Sequence, residues 1–151
     1  MRSFQFKLEK VLQVRQLQED LQREAFWEVQ QDLDDARECL RSLQQEFARY
    51  RERLRSCGRK EAEVHEVLSY ERYIDYLHAA IERQLQVMAG LEAQLEEQRK
   101  ALQEAARRRE VLERLKERQK EVYRKYRNRI LQNLLDEVGQ KRRGPTEGSG
   151  M

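Results

Sequence analysis

The stretch "VQQDLDDARECLRSLQQEFARYRERLRSC" (residues 29–57) decides the fold. Its apolar positions are Val29, Leu33, Ala36, Leu40, Leu43, Phe47, Tyr50, Leu54 and Cys57, separated by alternating steps of four and three. Such spacing, about 3.5 on average, keeps one stripe facing a partner along a left-handed supercoil, so it predicts the a/d seam of a coiled coil. Upstream, Leu17, Leu21, Ala25, Val29 and Leu33 step by four each time. A step of four exceeds the roughly 3.6 residues of a helical turn, so this stripe is expected to drift and the supercoil to unwind locally. Phe26 and Trp27 lie there, placed to fill a changing gap between helices.

Gly58 follows the last seam position, where a helix C-terminal glycine is expected. Beyond it a second seam opens with Val67, Tyr70, Ile74, Leu77 and Ile81. It runs with slips through Leu85, Met88, Leu95, Leu102, Ala105, Leu112, Val122, Tyr126 and Ile130 to about Val138, before Gly139. Two starts are open for this helix: Lys60 directly, or Ser69 as N-cap after a loose link. Two amphipathic helices joined by a short link bury their stripes against each other. The expected fold is all-α: a long antiparallel two-helix coiled-coil hairpin, with helix 1 over about 3–57, a turn over about 58–68 and a longer helix 2 to about 138. Residues 139–151, with "GPTEGSGM", read as a disordered tail.

With a turn near residues 60–63, Leu8 falls opposite Leu115. Helix 2 then overshoots by about 20 residues, some 30 Å at helical rise. That overhang carries Val122, Tyr123, Tyr126, Ile130, Leu131, Leu134, Leu135 and Val138, an apolar set without a partner in its own chain, which points to a partner chain.

Composition agrees. Charged residues make up 39% of the 151 positions, and the good helix formers Ala, Leu, Glu, Gln, Lys and Arg dominate. No run of about 20 apolar residues exists to span a membrane, and the start has no apolar signal core. On one helix Cys39 and Cys57 would lie about 27 Å apart, too far to bridge. Two scattered thiols fit a reducing cytoplasm. The net charge of +3 hides an asymmetry. Residues 99–143 hold 16 Lys and Arg against 7 Asp and Glu, a net of +9, which leaves −6 for the rest.

Nothing in the pattern calls for catalysis, a cofactor or a metal. His65 and His78 have no partners at a metal-binding spacing, and no glycine-rich phosphate loop exists. Carboxylates alternate with basic residues, as in "LEEQRKALQEAARRRE" (residues 95–110), which reads as i,i+4 surface pairing. Arg107, Arg108 and Arg109 spread around a helix and are offset by Glu104, Glu110 and Glu113, so nucleic acid is not the expected partner. The basic third instead suits an acidic protein surface, because aromatic and aliphatic residues accompany its charges. Tyr73 and Tyr76 in "YERYIDYLHAAI" (residues 70–81) lie off the seam. They read either as packing at the hairpin tip or as an exposed docking patch.

The start, "FQFKLEKVLQVR" (residues 4–15), resembles the N-terminal signature of the flagellar FliJ family: two Phe around a polar residue, then Leu, Val-Leu and Arg. "YERYIDYLHAAI" is similar to the segment opening that family's second helix. "LERLKERQKEVYRKYRNR" (residues 112–129) resembles its charged C-terminal run, and "LDE" (residues 135–137) its closing motif. The family's charged approach to that motif is replaced here by Leu131, Gln132, Asn133 and Leu134.

The resemblance implies a cytoplasmic, non-enzymatic stalk and adaptor of the flagellar type III export machine. It would act at the cytoplasmic face of the inner membrane at the flagellar base and reach the membrane only through partners. Those partners would be the export ATPase hexamer, the cytoplasmic domain of the membrane export-gate protein, and export chaperones whose cycling it assists. Phe4, Phe6, Tyr123, Arg124, Tyr126 and Arg127 would engage the ATPase ring, and Tyr73 and Leu77 the export gate. Two alternatives remain at this point: a homodimeric scaffold with one helix continuing through Gly58, and the equivalent stalk of a virulence secretion system. If Ser3 caps the first helix, Phe4 and Phe6 are roughly 200° apart on it, so one can join the seam but not both.

Overall fold

The computed structural model describes residues 2–57 and 64–144. They form two long helices, α1 (Glu9–Ser56) and α2 (Val64–Arg142), and no strand is present among them. The chain divides into two compact units, Gln18–Ala105 and the pair Met1–Leu17 with Ala106–Met151.

In the unit Gln18–Ala105 the two helices run antiparallel. Tyr50 meets Tyr70, Glu46 accepts from the Tyr73 hydroxyl, and the Gln84 amide donates to the Ala36 carbonyl at 3.0 Å. Partners thus climb α2 as they descend α1, which establishes the hairpin and overturns the single continuous helix. Leu33 and Leu77 are each 1% exposed, and Ala36 is also buried. The other seam residues stay half-buried, because one seam between two helices has no further layer to close over it.

The seams are more regular than the apolar residues alone indicate. On α2 the inward positions run Ile81, Gln84, Met88, Leu91, Leu95, Gln98, Leu102, Ala105, an unbroken alternation of three and four. Leu85, expected in the seam, is 49% exposed; Gln84 takes its place. On α1 the inward positions include Leu12, Arg15, Glu19, Gln22, Phe26, Val29 and Leu33, with the same alternation. The expected drift through Leu17 and Leu21 is therefore corrected: both side chains are exposed, and Glu19 is buried at the inward position, held by Arg23 at 3.0 Å. Long polar side chains can fill such positions, since their stems pack while their heads reach an edge. Phe26 is half-buried and Trp27 exposed, so only Phe26 fills the seam.

Three expected boundaries are corrected. First, α1 starts at Glu9 rather than near residue 3. Arg2 to Phe6 are non-helical, and the Phe6 carbonyl accepts from the Glu9 amide at 3.1 Å. This non-helical start sets the Phe4 ring on Tyr123 of α2 and buries Phe6. Second, Val64 to Leu68 already belong to α2, and Ser69 lies inside it rather than capping it. Whether the helix begins at Lys60, and whether Gly58 caps α1, lie outside the described residues. Third, α2 passes through Gly139 and ends at Arg142. Glycine costs a helix only about 1 kcal/mol relative to Ala, and Lys141 and Arg142 favour the negative end of the helix dipole. Residues 145–151 lie outside the description.

Candidate docking surfaces

The unit formed by the chain start and the end of α2 is built on Phe6 and Leu12, both buried. Lys116 and Glu9 pair across it at 2.8 Å. The Tyr123 hydroxyl donates to the Arg2 carbonyl, and the Phe4 ring packs on Tyr123 with centroids 5.7 Å apart. Phe4, Arg118, Gln119, Val122, Tyr123 and Tyr126 line an open groove of about 530 Å³. Val122 and Tyr126 are more than half exposed, so apolar surface is presented there to solvent.

The expected ring-binding set is thus sorted by position. Phe4, Tyr123 and Tyr126 come together in the groove. Arg124 and Arg127 are exposed beyond Tyr123, Arg124 being paired to Glu121 at 2.7 Å. Phe6 does not join them. It is buried against its own unit and holds the chain start in place. Val122 belongs to the apolar overhang set expected to meet a partner chain, whereas Gln119 and Arg118 carry no sequence signal for this surface.

The second surface lies in the other unit. The Tyr73 ring packs on Tyr50 at 4.4 Å, and its hydroxyl donates to the Glu46 carboxylate. That bond, followed by desolvation and the Glu46 charge, pushes the Tyr73 phenol up to about 12. Tyr76 stacks on Tyr73, with centroids 6.0 Å apart and planes at 21°, and remains 58% exposed. Arg53 lies over the Tyr50 ring at 5.0 Å. Leu77 is seam at 1% exposure, as its spacing predicts, and is therefore closed to the partner contact expected of it beside Tyr73. It is 3.6-periodic with Tyr73 and Tyr70, which face α1, whereas Tyr76 is turned outward. A partner approaching here meets the Tyr76 ring.

Carboxylates on the described surface pair at i,i+3 as well as at i,i+4. Arg99–Glu96 at 2.6 Å and Arg109–Glu113 at 2.6 Å represent each kind. The hydrogen bond from Arg99 holds the Glu96 carboxyl below the usual range. Arg109, from the triple-arginine run, is half-buried in its pair. Among the described residues no group of three or more His, Cys, Asp or Glu is placed to hold a metal ion. No helix among them is long and apolar enough to cross a membrane.

Fold and pairing define an antiparallel two-helix coiled-coil hairpin whose distinctive surfaces are aromatic. Its sequence matches the family model described as flagellar FliJ protein over residues 4–144, and the chain belongs to the FliJ family. It is a component of the flagellar export apparatus, in a family of structural adaptors. Neither a curated protein nor a solved structure matches the chain.

Proposed function

We propose that the chain is a non-enzymatic stalk and adaptor of flagellar protein export. It binds the export ATPase ring through the Phe4 groove and the cytoplasmic domain of the export gate through the tyrosine cluster on the other unit, and it assists the cycling of export chaperones. Its site of action is the cytoplasmic face of the membrane at the flagellar base, which it reaches through those partners.

The observation that carries this reading is the groove. Phe4, Val122, Tyr123 and Tyr126 present apolar surface at the start of a basic helical segment that α1 does not cover. Aromatic side chains beside Arg are the groups that dominate protein interfaces. At the gate surface, Tyr76 makes the contact, Tyr73 orients it, and Leu77 keeps the helices in register beneath. Purified tagged chain, mixed with purified export ATPase, should retain it on the resin. It should retain the isolated gate domain in a separate experiment. A chain that retains neither removes the reading.

A further inference from the structure

The end of α2 carries an apolar stripe that veers away from the line of its seam. The seam side of this segment runs through Leu112, Lys116 and Tyr123, and is prolonged by Tyr126 and Ile130. Leu131, Leu135 and Val138 lie roughly 80–140° around the helix from Ile130, and Leu134, about 40° from it, joins them to that line. They are 42% to 66% exposed. The groove and this stripe therefore face different directions, and a partner seated in the groove leaves the stripe open.

Charge decides what fits. On the stripe's own face Arg124 and Arg127 lie before it, and Lys141 and Arg142 after it. Asp136 and Glu137 sit more than about 100° away around the helix. Among the described residues Arg127, Lys141 and Arg142 have no ion-pair partner.

A second copy is a poor occupant. Pairing Leu131 with Leu134 antiparallel sets Arg124 against Lys141 at both ends, and a parallel pairing sets Arg124, Arg127 and Arg142 against themselves. Like charges facing each other across an interface are unfavourable. A lipid surface fits no better. An interfacial helix carries its cations on the polar face, whereas these are in line with the apolar stripe and would be driven into the acyl layer.

We propose that this face docks a short amphipathic helix of another protein, whose apolar stripe is bounded at both ends by Asp or Glu. The apolar stripe supplies the packing, and the paired end charges fix the position along the helix. The inference stands apart from ring docking, which uses the groove.

The test uses the full chain and two labelled synthetic helical peptides with the same Leu stripe, one ended by Glu pairs and one by Lys pairs. Anisotropy should show the Glu-ended peptide binding at least ~10-fold tighter, with the advantage shrinking as salt is raised. Leu134→Ser with Leu135→Ser, both exposed, should abolish binding without changing the circular dichroism; Tyr126→Ala should leave it intact. The proposal is overturned by failure of the Glu-ended peptide to bind, by equal affinity for the two peptides, or by binding that survives the double substitution. Phosphatidylglycerol vesicles that bind while the peptides do not, or self-association that Leu134→Ser removes, would overturn it equally.

Discussion

The Tyr73 hydroxyl donates to the Glu46 carboxylate across the two helices, and this bond changes how the phenol titrates. Its pKa rises from 10.0 to about 12 because the bond exists only while the phenol keeps its proton. A group whose folded pKa is raised stabilises the fold fully below the unfolded value and loses that contribution as pH passes the folded one. The Tyr73 contribution is therefore intact below pH 10.0 and disappears as pH rises through about 12. Tyrosinate absorbance should show a component titrating near the upper value that is absent from Tyr73→Phe and shifted down in Glu46→Gln. A titration identical in all three proteins would remove the bond from the account. Leu77 and Leu85 offer a second test. Both are leucines on α2, one buried and one exposed. Leu77→Ala should cost about 2–4 kcal/mol in urea unfolding, as large-to-small core changes do. Leu85→Ala should stay within about 0.5 kcal/mol, and equal losses would place the seam wrongly.

At the scale of the helix, Gly90 lies inside α2, exposed, and an added Cβ there would meet nothing within 4 Å. Gly90→Ala should therefore stabilise the protein by about 0.5–1 kcal/mol, measured by the urea midpoint. A loss would show that the helix needs the freedom of glycine there. The two helices and their antiparallel pairing were legible because nine apolar residues from Val29 to Cys57 keep the heptad alternation without a break. The rest of the seam was hidden by its own chemistry. Glu19, Gln22, Gln84 and Gln98 hold inward positions, so following apolar residues alone led to Leu17, Leu21 and Leu85, which are exposed. Extending the alternation of three and four from the clear stretch would have found them. The entry to α1 was hidden for a different reason. The Phe4–Phe6 alternation is a local signal for extended chain, but helix-forming composition outweighs it unless the partner surface at Tyr123 is known.

For the molecule as a whole, two long helices with one shared seam leave much apolar and aromatic surface uncovered, and that surface is where partners can act. The sequence located the aromatics at both proposed docking surfaces. It could not separate Phe4 from Phe6, and it set Tyr73 off the seam although Tyr73 faces α1, because which side chains are buried depends on the opposite helix. The separation matters for experiment. Substituting Phe6 or Leu77 damages the fold and cannot report on docking, whereas Phe4 and Tyr126 border solvent in the groove. Tyr76→Ala is the corresponding change at the gate surface. It should weaken retention of the gate domain while ATPase binding is kept.

The central claim is that the Phe4 groove is the seat of the export ATPase. Calorimetric titration of the purified ATPase with the full chain and with its Phe4→Ala, Tyr126→Ala variant measures it directly. The account predicts that the variant binds at least ~10-fold more weakly, the scale of an interface hot spot, with its circular dichroism and urea midpoint nearly unchanged. Equal affinity of the two proteins for the ATPase, or no binding by the unsubstituted chain, would contradict it.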